Sequence, residues 1–307
     1  MAVRHVMRFG IQRKIVANMT TESWRHIPHV SYTYEPDVTN FLEAYKKYAE
    51  RTPENDRATF NAVLLKSLAE AIKEAPELNA HMHFERSLVR GKITYFDNID
   101  ISVPWTLPDG NMMTITMKDM GNKSLSEIAH YTADINRRLK KTNLTEALYS
   151  VSIHDTMEKF KSGHIIKGIL RLIGSKTSAK HRVTPLKGQA KRLYESIPES
   201  DRITFDDLKQ GTVTISNIGA ASRGIRGELD MLMIIPPQIC AIGISSIQRR
   251  NIIVTDENGN EKGEVRSLLP ICICFDHRAL DFAEMFPFVK KLEEIFNNPS
   301  LILGNDE

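Results

Sequence analysis

The sequence predicts an α/β (α+β) fold in which helices pack on a mixed sheet. Strand-like runs such as "TVTIS" and "LLPICICF" occur together with amphipathic helical runs such as "SLSEIAHYTADINRRLKK". The two kinds of segment do not alternate regularly, which favours a mixed sheet over a doubly wound parallel sheet. The sequence contains neither a G-x-x-x-x-G-K-[ST] phosphate loop nor a glycine-rich dinucleotide loop.

The first half of the chain combines helical and extended segments. The stretch "IQRKIVANMTTESWRHIP" predicts a helix that stops before Pro28, and "HVSYTYEPDV" alternates like a strand. "TNFLEAYKKYAE" and "ATFNAVLLKSLAEAIKEAP" have helical spacing, a lone Thr or Asn precedes each as a candidate cap, and Pro76 closes the second. Strands are predicted at "ITYF", "IDISVPW" and "MMTITMKD". The following helix begins with a capping box of Ser124 and Glu127.

The second half contains a strongly basic segment, then strands and a closing helix. From Lys159 to Arg192 ten residues are Lys or Arg and none is Asp or Glu, although the whole chain carries a net charge of only +3. Such a segment favours an anionic partner. Within it "HIIKGILRLIG" has an apolar helical stripe. "TVTIS", "PPQICAIGISSIQ", "NIIVTD" and "LLPICICF" are strand-like, and "LDFAEMFPFVKKLEEIFNN" predicts a long helix.

Composition limits the class of protein. The 307 residues, 41% of them hydrophobic, are enough for a sizeable core. The longest apolar stretch is too short to span a bilayer, and the start lacks a signal-peptide core, so we expect a soluble, cytoplasmic protein without a transmembrane segment. Cys240, Cys272 and Cys274 are predicted to be buried reduced thiols, with no disulfide framework or zinc site.

The stretch "CFDHRALDF" places His277 four residues before Asp281. A second such pair, His130 and Asp134 in "HYTAD", lies in a helical stretch where this spacing only puts two side chains on one face. Spacing alone therefore leaves a catalytic histidine and a core histidine both open. The alternating histidines of "HMH", residues 81–83, are interpreted as part of a surface strand.

Further motifs, taken in chain order, decide the interpretation. They include "RKIVANMTTESWRHIPHVSYTYEPDV", "PELNA", "NIDISVPWTLPDG", "KSLSEI", "GTVTISNIG", "PPQICAIGI" and "DHRALD", covering roughly residues 11–146 and 202–299. In this order they resemble the catalytic domain of the acyltransferase components of 2-oxoacid dehydrogenase complexes (dihydrolipoyl acyltransferase-like) and, more distantly, chloramphenicol acetyltransferase. The resemblance implies a two-layer sandwich of the chloramphenicol acetyltransferase-like type. We expect one catalytic domain over 1–307, with a basic insertion at about 147–201.

The resemblance also implies the catalytic residues. His277 matches the general base that acts directly on the acceptor, without a covalent acyl-enzyme, and imidazole titrates near the working pH. Ser216 of "TISN" matches the donor to the oxyanion of the tetrahedral intermediate. Asp281 matches a structural partner of an arginine. Arg13 is the candidate for that arginine, with Lys14 as the alternative.

The loop residues beside the histidine have a different expected role. Asp276 and Arg278 are expected to support the loop rather than to react. Phe282 stands where the family has glycine, and either narrows the acyl pocket or removes activity. No lipoyl or subunit-binding module precedes the matching region, which favours a stand-alone relative.

The resemblance further implies substrates and partners. Coenzyme A or acyl-CoA is expected as substrate, with a lipoyl group supplied in trans, and no metal. Family members are trimers, so we expect a homotrimer or larger homo-oligomer in which His277 and Ser216 come from different copies. The basic segment 159–192 either holds the phosphates of coenzyme A, or docks an acidic carrier protein or lipoyl domain, or packs on a neighbouring subunit. Nucleic acid is not expected, because aromatic residues are not interleaved with the charges.

Two functions remain open on the sequence. The first is an acyltransferase that moves an acyl group from coenzyme A, or a carrier-bound thioester, to a thiol, hydroxyl or amine. The alternative is a non-catalytic oligomeric scaffold of the same family. Phe282 favours the scaffold, whereas the retained His277, Ser216 and Asp281 favour the enzyme.

Overall fold

A computed structural model describes residues 2–107, 112–161, 185–221, 225–255 and 258–305. Within these residues the helices are α1 (Ile11–His26), α2 (Thr39–Arg51), α3 (Phe60–Lys73), α4 (Leu125–Leu139), α5 (Leu144–Lys161), α6 (Gly188–Glu195), α7 (Phe205–Leu208), α8 (Ile218–Ala221), α9 (Phe282–Asn297) and α10 (Ser300–Leu303). The strands are β1 (His29–Tyr34), β2 (Ala80–Glu85), β3 (Arg90–Tyr95), β4 (Ile101–Thr106), β5 (Met112–Met117), β6 (Val213–Asn217), β7 (Cys240–Ile244), β8 (Gln248–Thr255), β9 (Glu261–Leu268) and β10 (Ile271–Asp276).

One compact unit, residues 23–133 and 210–307, contains the main sheet. Its strands lie in the order β1-β10-β7-β6-β4-β5. β6 is parallel to both β4 and β7, and the other neighbouring strands are antiparallel. The pairs β2–β3 and β8–β9 form separate antiparallel ribbons. The predicted mixed sheet with packed helices is therefore confirmed.

The two faces of this sheet have different surroundings. Residues opposite each other in register point to the same face, so Ser216, Gly243 and Cys272 share one face. Ile215, Ile242 and Ile273 share the other and are fully buried. Helix α3 buries a continuous apolar surface and packs against α9. The sequence therefore supplies one strongly apolar side of the sheet and one mixed side.

Local capping residues set the starts of α3 and α4 as predicted, whereas α2 follows Val38 and has no side-chain cap, because Thr39 lies inside the helix. The Ser124 backbone N–H and hydroxyl each donate to the Glu127 carboxylate at 2.8 Å, and the Glu127 N–H donates to the Ser124 hydroxyl at 3.3 Å. At α3, the Thr59 hydroxyl accepts from the Ala62 N–H at 3.2 Å. Pro76 differs from the prediction, because α3 ends at Lys73 and Pro76 begins a separate 3₁₀ turn.

The three cysteines are buried and free, as predicted. Cys272 and Cys274 lie on the same face of β10, and their sulfur atoms are 3.5 Å apart. In the part of the chain that the structure describes, no helix combines the length and the hydrophobicity needed to cross a bilayer.

The second compact unit comprises residues 1–22 and 134–209. Its most buried ionic contact joins Arg138 to Asp207, which also accepts from the Thr204 N–H at 2.8 Å. Burial raises the pKa of Asp207, but Arg138 and Thr204 outweigh this and hold the pKa below its usual value. The single domain over 1–307 and the insertion at about 147–201 stay predictions. The stripe of "HIIKGILRLIG" lies outside the described residues.

Candidate active site

The loop after β10 carries the predicted base. The His277 N–H donates to the Pro28 carbonyl at 3.1 Å, which fixes the point where the chain leaves the sheet. The N–H groups of Ala279 and Leu280 both donate to the Asp276 carbonyl, at 2.9 and 3.1 Å. These backbone bonds close a tight turn between β10 and α9, and they project the His277 side chain from it.

The His277 ring is held through one nitrogen. Nδ1 lies 3.1 Å from the Leu280 carbonyl oxygen and 3.0 Å from Asp281 Oδ1. Since both oxygens accept, this geometry favours the tautomer with the proton on Nδ1. Nε2 makes no hydrogen bond to the described residues, and 46% of the side chain is exposed. The free lone pair on Nε2 is the arrangement that a general base requires.

Asp281 contacts the imidazole and is the N-cap residue of helix α9. Its carboxylate faces His277 Nδ1, and its backbone N–H donates to the Glu284 carboxylate at 3.0 Å. Arg13, the predicted partner of Asp281, lies exposed on α1 in the other compact unit. The pairing of Asp281 with Arg13 stays a prediction.

Asp276 and Arg278 form a hydrogen-bonded ion pair within the loop. The Asp276 carboxylate is almost fully buried and accepts from Arg278 Nε at 2.9 Å and Nη2 at 2.6 Å. It also accepts from the Arg278 backbone N–H at 3.0 Å. The Arg278 guanidinium lies 5.5 Å from the centre of the Phe84 ring. Because these contacts hold both side chains within the loop, they agree with the supporting role predicted for Asp276 and Arg278, which stays a prediction.

A second histidine lies beside this loop, and the sequence analysis assigned it no role. His29 is opposite Asp276 in the β1–β10 register. Its Nε2 accepts from the Ile234 N–H at 3.1 Å and its Nδ1 lies 2.9 Å from the Ile27 carbonyl oxygen. Burial lowers the pKa of His29 below 6.5. Both ring nitrogens are occupied, so His29 acts as a neutral structural group.

Ser216, the predicted oxyanion donor, is near the end of β6. It is largely buried, and its hydroxyl makes no hydrogen bond to any residue that the structure describes. The next residue fixes the turn that follows, since Asn217 Nδ2 donates to Asn61 Oδ1 and Asn217 Oδ1 accepts from the Ala220 N–H, both at 2.9 Å. A Cβ at Gly219 would collide with the Ser245 carbonyl oxygen. This close approach explains the glycine after "TISNI".

One chain does not bring His277 and Ser216 together. Phe275 pairs with Cys240 at the start of β7, whereas Ser216 pairs with Gly243 near its end. Phe275 and Ser216 also point to opposite faces of the sheet. At about 3.3 Å per residue and about 4.8 Å between strands, the backbones of His277 and Ser216 are on the order of 15 Å or more apart. Two side chains of this size cannot reach one reacting atom across that distance.

A cavity of about 270 Å³ adjoins the Ser216 end of the sheet. It is lined by Thr59, Asn61 and Leu65 and by residues 103–106 of β4. β4 runs parallel to β6 with Ser102 opposite Thr214, so the lining residues of β4 lie beside the end of β6. A larger cavity of about 660 Å³ includes none of the predicted site residues.

Phe282, at the position of the family glycine, is not strained. Left-handed backbone occurs at Val89 and Asp119 among the described residues other than glycine, and not at Phe282. The Phe282 ring contacts three aromatic rings, those of Tyr32, Phe275 and Phe286. This aromatic set was not among the features predicted from the sequence. The spacing of four between Phe282 and Phe286 was the signal for it.

The remaining histidine motifs have ordinary partners. His130 Nε2 lies 3.1 Å from Asp56, and Asp134 pairs with Arg137, so the second H-x-x-x-D does not form a site. In "HMH", which lies on β2 as predicted, His81 Nε2 lies 2.9 Å from the Gly211 carbonyl oxygen. No group of three or more potential metal ligands occurs among the residues with described positions.

Comparison with known families gives one match over most of the chain. The model of the 2-oxoacid dehydrogenases acyltransferase (catalytic domain) matches residues 3–150 and 176–304. The interval between the two matched parts lies inside the predicted insertion at 147–201.

Curated relatives include components of two dehydrogenase complexes. The dihydrolipoyllysine-residue acetyltransferase component of the pyruvate dehydrogenase complex of Mycobacterium bovis is 25% identical over 284 residues, covering 92% of this chain and 39% of the relative. The same component from Staphylococcus epidermidis is 24% identical, covering 95% and 51%. The succinyltransferase component of the 2-oxoglutarate dehydrogenase complex of Buchnera aphidicola is 24% identical, covering 88% and 48%. This chain thus spans about half the length of these relatives, or less.

Solved structures share the fold. A probable dihydrolipoamide acetyltransferase from Listeria monocytogenes has a TM-score of 0.62 at 20% identity, covering 95% of this chain and 94% of the other. A dihydrolipoamide acetyltransferase of Azotobacter vinelandii, whose catalytic mechanism was investigated at one serine, one histidine and one asparagine, has a TM-score of 0.62 at 20% identity, covering 97% and 93%. The cubic core of a pyruvate dehydrogenase multienzyme complex has a TM-score of 0.62 at 19% identity, with the same coverage.

Proposed function

Because this chain belongs to the 2-oxoacid dehydrogenases acyltransferase (catalytic domain) family, we propose that it is an acyltransferase. It moves an acyl group from coenzyme A, or from a carrier-bound thioester, to a thiol, hydroxyl or amine acceptor. The observation that carries the proposal is the His277 imidazole. Its Nδ1 is held by two oxygens, its Nε2 makes no hydrogen bond to the described residues, and 46% of its side chain is exposed.

His277 acts as the general base in a direct transfer. The acceptor atom forms a bond to the thioester carbonyl carbon while its proton passes to His277 Nε2. The tetrahedral intermediate then collapses, the carbon–sulfur bond breaks, and the departing thiolate takes the proton from His277. Asp281 and the Leu280 carbonyl keep the ring in the required tautomer throughout. No acyl-enzyme forms.

Ser216 donates to the oxyanion of the intermediate. Its buried hydroxyl has no competing partner among the described residues, so it is available to a developing negative charge. The Azotobacter vinelandii relative supports a site of this kind, because a serine, a histidine and an asparagine four residues after the histidine were investigated there. Ser216, His277 and Asp281 match those residue types, with aspartate in place of asparagine. The cavity beside Ser216 leaves room for the thioester to approach from that side.

The complete site requires two copies of the chain. His277 and Ser216 lie at opposite ends of one sheet, so the base of one copy works with the oxyanion donor of another. A homotrimer or larger homo-oligomer supplies this arrangement. The solved relative that forms the cubic core of a multienzyme complex supports an oligomer.

The basic segment 159–192 supports delivery of the substrate on a carrier. In its described part, Lys187, Lys191 and Arg192 are exposed on or next to α6. We propose that this surface docks an acidic carrier protein or a lipoyl domain, so that a lipoyl group enters in trans.

The test is thioester consumption by the purified protein. A panel of acyl-CoAs is offered with dihydrolipoamide, free or on a lipoyl domain, and with amine and alcohol acceptors. We expect acceptor-dependent turnover that falls on the order of a hundredfold or more in His277→Ala, because the general base is lost.

His130→Ala is the matched control, since His130 begins the other H-x-x-x-D spacing and lies exposed on α4. It is expected to retain full turnover. Absence of turnover in the unmodified protein, with a stable oligomer by mass, would instead support the non-catalytic scaffold.

A further inference from the structure

Three aromatic side chains form an exposed surface next to the His277 loop. This aromatic patch consists of Tyr32, Phe282 and Phe286. Phe282 and Phe286 are 40% and 44% exposed, and their rings stack with centres 6.3 Å apart in the first turns of α9. Tyr32 of β1 meets both rings edge-on, at 6.3 and 6.4 Å. Three aromatic rings grouped at a surface are a larger apolar area than single exposed residues, and such areas mark binding sites.

The aromatic patch is continuous with the base. Phe275 is fully buried beneath it, and its ring lies edge-on to His277 at 6.0 Å and to Phe282 at 5.5 Å. One ring therefore contacts both the imidazole and the first residue of the patch. A molecule that binds at His277 can therefore place its body against these aromatic rings.

The position of the patch identifies which substrate it contacts. In the proposed reaction the acceptor gives its proton to His277, whereas the thioester carbonyl needs Ser216 from another copy. The acceptor therefore lies on the His277 side, where the patch begins. The carboxylates of Asp281 and Glu284, in the same turn of chain, disfavour an anionic acceptor.

We propose that Tyr32, Phe282 and Phe286 determine acceptor specificity by binding the apolar body of the acceptor. The acceptor class is a neutral or cationic thiol, amine or alcohol that carries an aromatic or bulky alkyl group. This inference rests on the proposed acyltransferase function. It gives Phe282 a binding role at the position where the family has glycine.

Acceptors with the same nucleophile test this role. 2-Phenylethanethiol and 2-mercaptoethanol both present a primary thiol, but one carries a ring and the other a hydroxyl. With a fixed acyl-CoA, we expect kcat/KM to favour 2-phenylethanethiol. Phe282→Ala and Phe286→Ala should each reduce that preference by about tenfold, mainly by raising KM for 2-phenylethanethiol. Tyr95→Ala is the control, because Tyr95 is an exposed aromatic residue on β3.

The possible outcomes distinguish a failure of the acceptor-binding role from a failure of the proposed acyltransferase function. Acylation of 2-mercaptoethanol with no preference for the aromatic thiol, or a preference that both variants retain, overturns the inference alone. A change in oligomer mass in the variants, with the preference intact, assigns the patch to a subunit interface and also overturns it. Calorimetric binding of 2-phenylethanol to the intact oligomer and to Phe282→Ala requires no turnover. Equal affinity in that measurement contradicts the inference even if the protein is not an enzyme.

Discussion

Two histidines beside the end of β10 differ in what their rings contact. His277 has one nitrogen anchored and the other free among the described residues, so its lone pair is available for chemistry. His29 has a partner on each nitrogen, and protonating Nε2 would turn an acceptor of the Ile234 N–H into a second donor. The same residue type therefore has one nitrogen open for the proposed chemistry at position 277 and both nitrogens bound in the structure at position 29.

The lowered pKa of His29 predicts that the folded protein loses stability in mild acid. Burial lowers its pKa below 6.5, outweighing the Ile27 carbonyl and the Asp276 carboxylate, which raise it, while Arg278 lowers it further. Below about pH 6.5 the unfolded chain takes up a proton that the folded chain does not, so the free energy of unfolding decreases as pH falls, until the lowered folded pKa is reached. Urea unfolding at pH 7.5 and 5.5 should show a larger decrease for the wild type than for His29→Asn. Equal decreases would show that His29 does not contribute.

For single residues, the sequence predicts those that belong to a local motif. It does not predict residues that come into contact only because two strands pair in a particular register. His277 and Asp281 are four positions apart, and the turn that joins them is local. Phe275, Tyr32 and Phe282 come from β10, β1 and α9, and they meet because β1 pairs with β10. No pattern within one segment contains that pairing.

Among the helices and strands as well, features set by nearby residues were predicted, and features set by pairing with a distant segment were not. The starts of α3 and α4 follow from Thr59 and from Ser124 with Glu127, since a cap involves residues three positions apart. Strand β9 was not predicted, because "EKGEVRSL" is polar and its register with β8 defines it. Helices α5 and α6 were likewise not predicted, and both lie in the unit that contains the proposed insertion.

The turn from β6 into α8 predicts the effect of a small substitution. Gly219→Ala places a Cβ against the Ser245 carbonyl oxygen, so the turn that follows Ser216 must shift. We expect a loss of about 1–3 kcal/mol in the free energy of unfolding, together with lower kcat. Gly227→Ala is the matched control, because among the described residues, its two chain neighbours apart, no atom lies within 4 Å of its added Cβ. Similar urea unfolding curves for the two variants would refute the close-packing explanation.

At the scale of the whole molecule, the separation of His277 and Ser216 predicts complementation between two inactive variants. His277→Ala and Ser216→Ala chains are unfolded together, mixed in equal amounts and refolded. If each site takes its base and its oxyanion donor from different copies, about one quarter of the sites in a cyclic oligomer combine the intact His277 with the intact Ser216. Turnover of the mixture should then rise well above that of either variant refolded alone. A mixture no more active than its components would place both residues of a site in one chain.

The sequence resemblance implied that the site is shared between copies, and the strand register gives an independent physical reason. Where the partner copy binds is a property of two surfaces, and one chain's pattern of apolar and polar residues does not specify it. For the basic segment, likewise, the sequence predicts the sign of the partner's charge but not which molecule the partner is.

Dividing the reacting groups between copies has a kinetic consequence. For an enzyme whose groups all lie in one chain, turnover per chain is independent of dilution. If the base and the oxyanion donor meet only in the assembly, as proposed, the observed rate depends on enzyme concentration with an order above one wherever the oligomer dissociates. Subunit affinity therefore becomes a regulator of catalysis, and any change that weakens the contact between copies lowers activity without altering a single residue that touches substrate.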